Sequence, residues 1–110
     1  MTKKLLTVAF SLALFGTGTA WAENQANAAQ GKSKTASCAG CHGENGNSVM
    51  PNFPKLAGQH ETYLAKQLQA FKDGSRLSPM MAPLVSGLDE AAITEVAAFY
   101  AANKITPNPA

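Results

Sequence analysis

Cys38-Ala39-Gly40-Cys41-His42 restricts this chain more than any other stretch. Cys-x-x-Cys-His is the spacing at which two thiols add to the two vinyl groups of a porphyrin, with an imidazole adjoining to bind the iron. The chain has two cysteines, and both lie in this motif. A polypeptide organised around it must wrap a flat apolar ring and supply a second axial donor from elsewhere. Other uses of paired cysteines fit less well. A thioredoxin-like pair sits beside a strand in a βαβ unit, and no such pattern occurs here. A structural zinc site needs four ligands, and His60 alone cannot complete the set.

A chain of 110 residues holds one small domain, in which a covalently bound macrocycle would make good a thin apolar core. Met1 to Ala22 reads as a secretory signal peptide: Lys3 and Lys4 precede the apolar run Leu5–Phe15, and Ala20-Trp21-Ala22 has the small-x-small cleavage pattern. That run is short for a bilayer span. The expected division is therefore residues 1–22 as signal and 23–110 as the working domain, exported to the periplasm. Removal of the signal takes two of nine basic side chains and none of the seven acidic ones, leaving no formal net charge. Neither the formal +2 of the whole chain nor this neutral balance points to nucleic acid.

The pattern beyond the signal is helical, without strand alternation. Glu23 to Ala39 reads as a helix entering the motif. Gly31 inside it is either a packing position or the point after which the helix begins. Residues 43–48 are turn formers, and the prolines of Met50-Pro51-Asn52-Phe53-Pro54 forbid a regular helix. An iron-bound imidazole generally donates its other N–H to a backbone carbonyl, and this stiff loop is placed to offer one. Gln59 to Asp73 gives a second helix, with Tyr63, Leu64, Leu68 and Phe71 near one face and Gly74 as its stop. Arg76 to Leu88 reads as irregular. Asp89 is an N-cap for a last helix to about Ala102, with Ile93, Val96, Ala97 and Tyr100 as its apolar stripe. Thr106 to Ala110 reads as a frayed tail.

Met50, His60, Met80 and Met81 are the candidate second axial donors. Met80 and Met81 stand between Pro79 and Pro83, in a loop long enough to reach the far face of a ring held by His42. The residues alone leave the choice between these two open. Met50 reads as packing near the ring edge and His60 as an exposed side chain. A thioether ligand raises the reduction potential and fills the last iron position.

These features together resemble a class I c-type cytochrome over nearly the whole of residues 23–110. Pro51-Asn52-Phe53-Pro54-Lys55-Leu56-Ala57-Gly58-Gln59, Tyr63, Lys66-Gln67-Leu68, Gly74 and the Met-Met stretch before Leu88-Asp89-Glu90 resemble one half of the bacterial dihaem periplasmic cytochromes c. The resemblance implies an all-α fold of three to four helices around one covalently attached haem. It implies Cys38 and Cys41 as attachment points and His42 as an axial ligand. It implies Met81 as the other, since Met81 stands seven residues before Leu88. It also implies that the Pro54 carbonyl accepts the imidazole N–H and that Gly31 marks the crossing of first and last helices, near Phe99 and Tyr100. The segment from Gly74 to Met80 is short, which would leave the ring edge more open there.

The expected function is that of a periplasmic single-electron carrier, not an enzyme, acting between redox protein donors and acceptors as a monomer or weak dimer. A haem subunit of a larger redox enzyme is the alternative. A peroxidase or gas binder ranks lower, because no distal acid–base residue is evident. Lys55, Lys66, Lys72 and Arg76 either form a basic docking area or are ordinary solvated charges; the second reading is slightly preferred.

Overall fold

The stripe Ile93, Val96, Ala97 and Tyr100 is buried, so one face of the last helix is the floor on which the remaining elements rest. The computed structural model describes residues 19–108, and the expected signal segment lies mostly outside that range. Among the described residues there are five helices and no strand: α1 Thr19–Lys32, α2 Ala36–His42, α3 Glu61–Asp73, α4 Met81–Val85 and α5 Glu90–Ala102. No helix among them is long and apolar enough to cross a membrane.

The expected single helix over residues 23–39 is divided in two. At the break, the hydroxyls of Ser33 and Thr35 donate to the carbonyls of Gln30 and Lys32, at 2.8 and 2.9 Å. Side chains thereby take over carbonyls that a continuing helix would have used. The turn lets α2 leave at a new angle while the Thr35 carbonyl accepts from Cys38 and Ala39 N–H, both at 2.9 Å.

Gly31 is buried where α1 crosses α5, and the missing side chain is what permits the contact. A Cβ there would lie 1.9 Å from the carbonyl oxygen of Glu95. Beside this crossing Lys34 forms an ion pair with Glu95. α3 lies on the same floor and contributes Leu64 to a small core with Val96, Ala97 and Tyr100. It begins at Glu61, two residues later than expected, and stops at Gly74 in the left-handed conformation.

Residues 76–88 contain one more short helix than expected. Ser78 Oγ accepts the Met81 N–H at 3.0 Å and so starts α4. α5 begins as read: Asp89 Oδ1 accepts the Ala92 N–H at 2.8 Å. Asp89→Ala should cost about 1 kcal/mol, the usual value of such a cap. Thermal melting of the purified protein should fall by roughly 4–8 °C.

Candidate haem-binding site

α2 presents Cys38, Cys41 and His42 at positions i, i+3 and i+4, which share one helix face. All three line a cavity of about 490 Å³, a size typical of cofactor sites. The loop after α2 adds Phe53 and Pro54 to its wall, α3 adds Leu64, Leu68 and Phe71, and α5 adds Val96 and Tyr100. Met80, Met81, Leu84 and Val85 line it from the α4 segment.

His42 is buried, and its Nδ1 lies 2.8 Å from the carbonyl oxygen of Pro54. A carbonyl only accepts, so Nδ1 carries the proton, and the neutral imidazole then has its lone pair at Nε2. The loop that brings Pro54 there is closed by the Gly46 carbonyl, which accepts from Leu56 and Ala57 N–H at 2.8 and 3.1 Å. Gly46 has φ +81°, and a Cβ on it would lie 2.7 Å from the Tyr100 ring. Glycine is therefore required twice over at that position, for backbone conformation and for space.

Cys38 and Cys41 are unpaired, half-buried thiols. Met81 is half-buried, whereas Met80 is 58% exposed. Met50 is also exposed and is absent from the cavity lining, so its expected packing beside the site is corrected. Its carbonyl instead accepts the Phe53 N–H at 3.2 Å, closing a turn over Pro51 and Asn52. His60 is exposed, as its position predicts. Three of the four basic residues considered for docking are engaged locally. Lys55 and Lys72 donate to the carbonyls of Thr106 and Leu88. Arg76 lies 4.5 Å over the Phe71 ring and donates to Gln67 Oε1 at 2.6 Å.

Tyr100 was legible in the sequence only as core. Its hydroxyl is a buried polar atom without a hydrogen-bond partner among the described residues, and its side chain lines the cavity. Burial first, then the neighbouring Cys38 sulfur, pushes the phenol above its ordinary ionisation range. An apolar cavity that holds two thiols, an imidazole with a free Nε2, a thioether and an unpaired hydroxyl suits a flat macrocycle with a central metal. A bare ion fits poorly, because among the described residues no three His, Cys, Asp or Glu side chains are placed to hold one.

A family model described as Cytochrome c matches residues 26–102. The chain belongs to the cytochrome c family. This cytochrome c chain is 43% identical over 106 residues to Cytochrome c4 of Pseudomonas aeruginosa, covering 96% of itself and 51% of that protein. It is 36% identical over 81 residues to Cytochrome c-554(548) of Halomonas halodenitrificans, covering 71% of itself and 98% of that protein. The crystal structure of reduced recombinant cytochrome c4 from Pseudomonas stutzeri superposes with a TM-score of 0.69 at 41% identity, over 72% of this chain and 46% of that one. The chain thus spans about half the length of the cytochrome c4 relatives and resembles one half of them. Membership carries with it a covalently attached haem c and a class I cytochrome fold.

Proposed function

We propose that this chain is a periplasmic single-electron carrier, delivered there by residues 1–22. It holds one haem c through thioethers to Cys38 and Cys41, with His42 and Met81 as axial ligands. The observation that carries the reading is the 2.8 Å contact between His42 Nδ1 and the Pro54 carbonyl, in the wall of the cavity shared by the two thiols and Met81. When bound, haem supplies an iron that changes charge by one electron. The chain's own residues do the rest. The Pro54 carbonyl holds the proton at Nδ1 and keeps Nε2 free. Leu64, Leu68, Phe71 and Val96 exclude water, which keeps reorganisation small. The Met81 thioether would supply the remaining iron ligand and favour the reduced state. Electrons would pass between respiratory or dehydrogenase donors and an oxidase, reductase or peroxidase.

Permanent residence in a larger redox enzyme is the second reading. It is favoured by apolar side chains exposed away from the cavity: Val49 at 71%, Ile105 at 58% and Met50 at 53%. Such surface is what a partner would cover. Co-purification at native abundance separates the two readings.

Expression with periplasmic haem-attachment machinery tests the proposal. A coloured protein starting at Glu23 is expected, with covalently bound haem and a ferric near-infrared sulfur-to-iron band. It should not bind carbon monoxide when reduced at neutral pH. A colourless product with both thiols titratable, or rapid stoichiometric carbon monoxide binding, would overturn it.

A further inference from the structure

We propose that Asn103 to Thr106 form a strap that sets the Pro54 carbonyl against His42, and that Asn47 is the positioning residue that fastens it. The inference rests on the reading of His42 as an iron ligand and adds a control on that ligand's hydrogen bond.

Of the tail expected to fray from Thr106 onward, Thr106 itself is tied down. Asn47 Nδ2 donates to the Lys104 carbonyl at 2.9 Å, and the Thr106 N–H donates to Asn47 Oδ1 at 2.8 Å. One side-chain amide thus pairs with two peptide groups two residues apart, as a neighbouring strand would. The asparagine amide supplies the donor and the acceptor that this needs. Aspartate would set a charged oxygen against the Lys104 carbonyl, and alanine would leave both peptide groups unpaired. The same Thr106 presents its carbonyl to Lys55 Nζ.

These fastenings flank Pro54. Lys55 follows it directly. Asn47 follows Gly46, whose carbonyl gathers Leu56 and Ala57. The loop is therefore gripped by the strap on both sides of the carbonyl that faces His42. The far end is tied as well: the Gly58 N–H donates to the Tyr100 carbonyl at 3.0 Å. Asn103 Nδ2 donates to the Phe99 carbonyl at 2.7 Å, which closes α5 and turns the chain into the strap. Pro54 itself is exposed and has no N–H to anchor it, so its place depends on its neighbours. A slack strap lengthens the His42–Pro54 bond. The imidazole then donates less charge to the iron, and the oxidised state loses support.

The test uses the ferric holoprotein and the proton resonance of the axial imidazole Nδ1–H. In Asn47→Ala, exchange of that proton with heavy water should quicken roughly tenfold, and the midpoint potential should rise. Thr106→Pro deletes the N–H of one of the two bonds and should move both readouts in the same direction, less far. The double variant should do no more than Asn47→Ala alone, because the bond that Thr106→Pro removes is already broken there. Ala92→Gly, in α5 and away from the cavity, should lower the melting temperature while moving neither readout. Unchanged exchange in both strap variants would overturn the inference, as would an equal acceleration in Ala92→Gly. Absence of any axial imidazole N–H resonance from the unsubstituted protein would instead remove the reading of His42, and the strap's role with it.

Discussion

Alanine at Gly31 should cost about 3 kcal/mol, the upper end of what overpacking usually does. The added carbon would lie 1.9 Å from the Glu95 carbonyl oxygen, 2.5 Å from its carbon and 2.9 Å from Phe99 Cβ. Two of these three are backbone atoms of α5, so no change of rotamer relieves the clash and the helices must part. The disturbance should reach the site, because Phe99 packs edge-on against Tyr100 at 5.1 Å between ring centres and Tyr100 lines the cavity. Thermal melting of the haem-loaded protein should fall by roughly 12–24 °C. A drop of only a few degrees would show that α1 slides along α5 without penalty.

Met81→Ala should abolish the near-infrared sulfur-to-iron band and lower the midpoint potential by on the order of 0.1 V, within the roughly 0.8 V range that axial ligands command. Met80→Ala should leave both nearly unchanged. The two side chains line the same cavity, but their circumstances differ. The Met81 N–H is held by Ser78 Oγ at 3.0 Å as the first residue of α4, and its side chain is half-buried. Met80, one residue earlier, is 58% exposed. A thioether that must stay on iron in both oxidation states needs a backbone that does not drift, and the α4 turn provides one. Optical spectra and potentiometry of the two variants decide the matter. Loss of the band in Met80→Ala would transfer the ligand role to Met80, and retention in both would end the histidine–methionine assignment.

Local pattern singled out Gly31 and the Met80-Met81 pair, whereas the family resemblance gave Gly31 its crossing role and preferred Met81. The stripe of α5, the Asp89 cap and the one-face spacing of Cys38, Cys41 and His42 follow from helical periodicity, which any segment carries within itself. Gly31 stood out for a similar reason, as a helix-weakening residue in an otherwise good helix. Misreadings arose where local preference was overruled. Ser33 and Thr35 are compatible with one continuous helix by composition, but their hydroxyls turn back onto the carbonyls of Gln30 and Lys32. Pro79 and Pro83 suggested an irregular loop, yet Pro83 sits within the first turn of α4, where its missing N–H costs nothing.

Residue order by itself determined the helical class, the haem-attachment motif and the faces that turn inward, because each depends on spacings of a few residues. Only the tertiary structure decided the partnership of Asn47 with Lys104 and Thr106, the pairing of Lys34 with Glu95 and the isolation of the Tyr100 hydroxyl. The two pairings join residues more than fifty positions apart. Such pairs meet only after every intervening turn has taken its angle, and nothing in a local run of side chains records that path.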